Sequence, residues 1–490
     1  MSKNKQTKQI IGYTLINYIG IVIGIVSTLF IYPIDVELLG IFRYIDSWAQ
    51  MLFPIITLGS AQALIHFYPQ LSNSLQIKLF GFSILSIFKL SFWVSVFVTI
   101  SYFFVDAVNL NYVFYSLPIA LTLALIELFK RQATTLEKLA VPTLFEKVIP
   151  KLALPIVFLL ILKGFILPKL GYIFYVLAFI FMIFLIAIYL KKHYKYKISF
   201  SHSKLFSQLS KKEYYRYSLY AFAGSFGSFF AFRIDSIMIP NFIDLQANGI
   251  YNIGVTLAST LAIPATGIFA LQAPQISKLI KEENLTALKI KYVETAKLLL
   301  FIAAIFYGCV LLGMEPLFNM LPTKDKLLQA LPIIYILAGS MFINMSTGFN
   351  SEIISYSKFY RFNLITIFIL VVLNIALNYY FLQYTTYGIV GVAVASLLAM
   401  TIFNAIKTIF IYLKFKLLPF DVNYFKILGL IISVLIVSML IPDTDFEVIN
   451  MLSKCSFFVI SSFILIYRFK LIFELNKFIK EKIIFFIIKK

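Results

Sequence analysis

Charge is scarce in this chain: Asp, Glu, Lys and Arg supply 13% of its 490 residues, against 61% hydrophobic. That balance excludes a water-soluble core of this size. Cysteine occurs only at Cys309 and Cys455, both inside apolar runs, so neither a disulfide framework nor a thiolate metal site is expected. The three histidines, His66, His193 and His202, share no ligand spacing. No glycine-rich loop leads into a lysine and serine, which removes the signature of an ATP motor. Carboxylates are not grouped on any long loop, and the longest turn, about residues 191–216, is too short for a catalytic domain. The chain is therefore not read as an enzyme, and no cofactor or metal is expected.

What is present is a succession of apolar stretches of about twenty residues, each long enough to cross a bilayer core of roughly 30 Å as a helix. The first is Ile10 to Tyr32, too long for a signal-peptide core and without a small-residue cleavage site. Others centre near residues 56, 91, 121, 152, 180, 227, 261, 308, 340, 372, 400, 432 and 460. The expected fold class is all-α: a polytopic membrane protein of about fourteen transmembrane helices. Residues 44–68 and 140–163 are the weakest spans, since both hold prolines and charges.

Basic residues alternate between turns. Lys191, Lys192, Lys195, Lys197, Lys204, Lys211, Lys212 and Arg216 face Glu213 alone, and the C-terminal tail is similarly basic. Turns of the other parity carry Asp35, Glu37, Asp106, Asp244, Asp443, Asp445 and Glu447, with Lys163 and Lys169 as exceptions. The positive-inside rule then puts both termini in the cytoplasm. It also accounts for the net charge of +21 without a nucleic-acid partner. The mixture of lysines with Ile and Phe in 471–490 predicts a cytoplasmic interfacial tail.

The chain resembles itself at an offset of about 204 to 210 residues. Tyr13-Thr14-Leu15 with Gly20 matches Tyr217-Ser218-Leu219 with Gly224, and Gly40-Ile41-Phe42 matches Gly249-Ile250-Tyr251. Pro69-Gln70-Leu71-Ser72 matches Pro274-Gln275-Ile276-Ser277, and Gly171-Tyr172 matches Gly388-Ile389. Six-helix copies of equal orientation predict two lobes around a cavity, hence alternating access. The expected organisation is an N-lobe over 1–190, a basic linker over 191–216, a C-lobe over 217–414, two extra helices over 415–470 and the tail over 471–490.

Three stretches carry a family resemblance: Leu39-Gly40-Ile41-Phe42 with Thr57-Leu58-Gly59 and Ala63 to Pro69; Phe232 to Ile239; and Leu373 to Tyr380 with Gly388 to Ala395. Together they resemble the Wzx-type polysaccharide and O-antigen flippases of the multidrug/oligosaccharidyl-lipid/polysaccharide (MOP) exporter superfamily. The resemblance implies a carrier in the bacterial plasma (inner) membrane. It would turn undecaprenyl-pyrophosphate-linked oligosaccharide from the inner to the outer leaflet, for surface polysaccharide such as lipopolysaccharide. It further implies membrane lipids, H⁺ or Na⁺, a polysaccharide polymerase and chain-length proteins as partners. Many relatives carry arginine where this chain has His66, so a cationic role there is in doubt near neutral pH.

Ionisable residues inside spans cost roughly 2.5–3.5 kcal/mol at the bilayer centre and so face a cavity or a partner. Lys147 and Lys151 stack one turn apart, where a pyrophosphate would satisfy both; the alternative is that both snorkel to the interface. Pro142, Pro150 and Pro155 are expected to break the same helix. Arg233 and Asp235 do not face each other, so each needs cargo or another helix. Lys89 is a candidate cavity residue; Glu127, Glu146 and His66 are candidates for coupling or ion pairing. Glu315 and Lys407 are expected near interfaces. A lipid II flippase and a drug antiporter share the implied fold. The first run lacks the acidic residue such antiporters carry, and the first, second and eighth spans lack the several cations of lipid II flippases. A membrane polymerase or ligase would need a long outer loop.

Overall fold

The computed structural model describes residues 20–104, 109–194, 203–473 and 475–476, and they form helices joined by short turns. The start of the first run, up to residue 19, and most of the tail, with His202, lie outside the described residues. Among the described residues, ten helices are long and apolar enough to cross a membrane, or up to twelve if each of two bent pairs is one span. Large apolar side chains stay uncovered along them, such as Phe92 at 62%, Trp93 at 66% and Phe97 at 71% exposed. In water that surface would be untenable; against lipid it needs no partner.

The chain divides into two compact units, Met1–Asn252 and Ile253–Lys490. In the first, α1 (Gly20–Ile34) leads to α2 (Val36–Thr57). Asp35 caps α2 by accepting from the Leu38 N–H at 2.9 Å, with Glu37 in the favourable first turn. Leu58 and Gly59 both take left-handed backbone (φ 44° and 72°), which ends α2 and bends α3 (Ser60–Phe67) away from it by 44°. Next come α4 (Asn73–Phe104), α5 (Leu110–Thr135), α6 (Ala140–Leu162), α7 (Pro168–His193) and the short α8 (Ser203–Gln208). A second break, at Ile234, separates α9 (Lys211–Arg233) from α10 (Asp235–Phe242), again by 44°.

The prolines of α6 do not break it. The helix runs unbroken through Pro150 and Pro155, with Pro142 in its first turn. Each internal proline removes one N–H and so leaves one carbonyl, four residues earlier, without its helical donor. These are the carbonyls of Glu146 and Lys151.

α2 crosses α11 (Leu245–Ser259) where neither helix has a side chain in the way. A Cβ on Gly40 would run into the Leu245 carbonyl oxygen, and one on Gly249 into that of Val36. Asn248 Nδ2 donates to the Gly40 carbonyl at 2.9 Å, tying the crossing. With lipid as competitor for apolar surface, such close backbone approach is what holds helices together.

The second unit continues with α12 (Ile263–Lys281), α13 (Leu285–Asn319), α14 (Lys324–Ser346), α15 (Asn350–Tyr356), α16 (Phe362–Tyr384), α17 (Gly388–Phe415), α18 (Val422–Met439) and α19 (Glu447–Arg468). Its core gathers Leu300, Phe301, Ile427, Ile431 and Phe458 between α13, α18 and α19. Gly308 and Gly313 of α13 admit Phe458 and Cys455 of α19. Lys297, buried in α13, pairs with Glu294 at 2.6 Å and with Asp421 at 3.3 Å. Asp421 also caps α18 through the Tyr424 N–H at 2.7 Å. Lys407, expected near an interface, is only 3% exposed: its ammonium donates to Ser351 Oγ at 2.8 Å and sits 3.9 Å over the Phe403 ring.

Candidate functional site

Arg43, Asp46 and Gln50 lie three and four residues apart and therefore share one face of α2. At 1.5 Å per residue, Arg43 and Asp46 sit about 10–15 Å inside the helix start. Asp46 accepts from the Tyr175 hydroxyl of α7 through both carboxylate oxygens, at 2.9 and 3.0 Å. Phe42 holds Tyr175 in place, edge-on at 5.2 Å. From α9, Arg233 donates through Nε to Gln50 Oε1 at 2.8 Å. Arg43 reaches Asp46 only loosely, at 3.9 Å, with its guanidinium 5.9 Å from the Tyr32 ring. Its Nε is buried and has no hydrogen-bond partner among the described residues.

Lys151 lies against α1 where Gly20 leaves room: a Cβ there would meet its Cδ at 3.1 Å and its Nζ at 3.2 Å. Lys151 is within electrostatic reach of Lys147 and Arg43, while Arg233 is within reach of Arg43 and Asp46. Neither Lys147 nor Lys151 makes an ion pair among the described residues. Glu146, their neighbour in sequence, is engaged elsewhere, with its carboxylate 2.8 Å from Lys130 of α5. Arg43 and Arg233 therefore lie by one carboxylate, Asp46, and Lys151 extends the cationic group from Arg43 to Lys147. Guanidinium and ammonium groups with open donors suit a phosphate or pyrophosphate, which takes forked hydrogen bonds from arginine and point charge from lysine.

The other residues singled out from the sequence fall outside this group. Asp235, at the start of α10, accepts from Tyr251 Oη at 2.6 Å. Glu127 takes a two-pronged bond from Arg131 at 2.7 and 2.8 Å and lies 3.6 Å from Lys130, so Lys130 links it to Glu146. His66 is exposed on α3 and stacks on Tyr217 of α9 at 4.0 Å. Lys89 is exposed on α4 together with Phe92 and Trp93, opposite the face that carries buried Phe80, Ile84 and Ile87. Among the described residues no group of His, Cys, Asp and Glu is arranged to hold a metal ion.

Arg43, Asp46, Gln50 and Tyr175 were not identified from the sequence. For the three on α2, the available signal was their spacing within 36–57; for Tyr175 there was none.

These elements, with ten to twelve candidate spans among the described residues, define an all-helical multi-pass membrane protein. No protein-family profile matches the sequence, and no curated protein matches it. Solved structures do share its fold. A lipid II flippase, MurJ, in an inward-closed conformation aligns with a TM-score of 0.69 over 93% of this chain and 99% of that one, at 17% identity. A multidrug resistance MATE family transporter of the MOP superfamily, inward-facing, gives 0.62 over 83% and 98%, at 13% identity. The chain thus shares its fold with these two solved structures.

Proposed function

We propose that this chain is a flippase for an undecaprenyl-pyrophosphate-linked oligosaccharide, moving it from the inner to the outer leaflet by alternating access for surface polysaccharide synthesis. The observation that carries this reading is the cationic group in which Arg43 and Arg233 lie by Asp46 and Lys151 and Lys147 adjoin Arg43, with Arg43 keeping an unused buried donor. Cationic drugs would be repelled by such a site; a pyrophosphate would be drawn to it. Lys147 and Lys151 receive the anion, and Arg43 and Arg233 fix its orientation, Arg233 itself being aimed by Gln50. Outward movement of an anion is favoured by about 2.3 kcal/mol per charge per 100 mV across an inside-negative membrane. The cargo's own charge then supplies direction.

Lipid II carries the same pyrophosphate and is the second reading. Deleting the gene in its host and analysing lipid-linked sugars by mass spectrometry separates the two. Accumulated undecaprenyl-linked repeat units, cleared by the wild type but not by Arg233→Ala or Lys151→Ala, support the proposal. Accumulated lipid II would shift the cargo, and an unchanged lipid pool with altered resistance to small cationic drugs would overturn it.

A further inference from the structure

A second basic group lies far along the chain from the first, in the second unit. α16 and α17 form an antiparallel hairpin, so the start of one lies beside the end of the other. At that end Phe359 packs edge-on against Phe410 at 5.6 Å and Phe415 at 5.9 Å, and Phe362 stacks on Phe410 at 3.7 Å. Phe362, Phe410 and Phe415 are themselves packed on buried Ile353, Ile354, Ile411 and Leu417, which makes the platform rigid. Two lysines from different elements converge on the single Phe359 ring, Lys358 at 5.4 Å and Lys414 at 5.5 Å. Arg361 rests 5.8 Å from Tyr360 and Lys416 5.3 Å from Tyr412, both rings exposed.

No carboxylate among the described residues pairs with Lys358, Lys414 or Lys416. Asp421 is turned to Lys297, and Glu352 acts on buried Lys407. Below this collar the helix surfaces are bare and apolar. Along α16 the exposed side chains run Ile365 (54%), Phe368 (69%) and Val372 (47%), and along α17 Leu413 (60%) and Ile409 (57%). From Arg361 to Val372 the α16 stripe is about 16 Å long, close to half the roughly 30 Å hydrocarbon core. Cations at one end of a leaflet-length apolar track match one class of molecule in both halves.

We infer that the end of the α16–α17 hairpin binds an anionic phospholipid of the cytoplasmic leaflet: its phosphate lies between Lys358 and Lys414 above Phe359, and an acyl chain follows Ile365, Phe368 and Val372. Charge complementarity selects the anionic head group, and the continuous stripe selects a lipid over free phosphate. This site is independent of the cargo.

The test is native mass spectrometry of the full chain in detergent, titrated in turn with phosphatidylglycerol, phosphatidylcholine and inorganic phosphate. Phosphatidylglycerol should be retained at least tenfold better than phosphatidylcholine. The paired change Lys358→Gln with Lys414→Gln should abolish that preference, whereas Lys278→Gln with Lys281→Gln, an exposed basic pair on α12, should not. Phe359→Leu, which keeps every charge, should weaken retention several-fold at an unchanged melting temperature. Equal retention of the two lipids, equal loss from both lysine pairs, or displacement of the lipid by equimolar phosphate would each overturn the assignment.

Discussion

Replacing Arg233 with alanine tests the cationic site most directly. Arg233 makes one orienting bond, 2.8 Å from Nε to Gln50 Oε1, and the proposal assigns its remaining donors to the cargo. A hydrogen bond to a charged group contributes about 1.5–3 kcal/mol. At an effective dielectric near 20, unit charges 4 Å apart attract by about 4 kcal/mol, which sets an upper bound. Arg43, Lys147 and Lys151 remain, so binding should weaken by about 10- to 150-fold rather than vanish. Arg233→Lys keeps the charge but loses the fork and the Gln50 bond, and an intermediate loss of about 2- to 12-fold is expected. Gln50→Leu should cost about as much as the lysine variant, because it frees the guanidinium to wander. The assay is equilibrium binding of a radiolabelled prenyl-pyrophosphate sugar to the purified chain, with melting temperature measured in parallel. Unchanged affinity in Arg233→Ala, at unchanged melting temperature, would refute the assignment of this residue to the anion.

Three further outcomes follow from particular contacts. Asp46→Asn removes the carboxylate beside Arg43 and Arg233 while the amide can still accept from Tyr175. Prenyl-pyrophosphate binding should tighten about 10- to 150-fold, from roughly 1.5–3 kcal/mol of lost repulsion, and a weakened affinity would contradict the charge argument. Gly40→Ala or Gly249→Ala should each lower stability in micelles by about 1–3 kcal/mol, read from denaturant unfolding, because α2 and α11 must move apart. Lys297→Met strands Glu294 and Asp421. Since those partners are partly exposed, the loss should be about 1–3 kcal/mol, below the 3–5 kcal/mol of a fully buried pair, and a neutral result would show the trio to be incidental.

Sequence and structure part company at identifiable places. The spans are legible because apolar length alone specifies a membrane helix, and observed helices lie at or near nearly every centre expected from composition. Lys147 and Lys151 are legible because helical spacing is local. Arg43 was overlooked because the second run, taken as 44–68, leaves it beside Asp35 and Glu37 as flanking turn, and Asp46 because it fell in that run's first turn. The helix in fact begins at Val36. Tyr175 could not be inferred at all, since its tie to Asp46 joins positions 129 residues apart. The prolines of α6 misled for a different reason. Losing two widely spaced backbone bonds weakens a helix, but neighbouring turns on either side keep it continuous. The tie between Lys130 and Glu146 was equally invisible, because it joins two helices through tertiary packing.

The glycine crossing of α2 and α11 has a reciprocal form. Gly40 meets the carbonyl of Leu245 and Gly249 meets that of Val36, so each copy of the repeat offers the other the same two positions. That is the contact two identical subunits make across a dyad, where residue i touches j and j touches i. Within one chain the consequence is that the two halves of the notch stand or fall together: a side chain at either glycine pushes apart the same pair of backbones, because only its absence lets them meet.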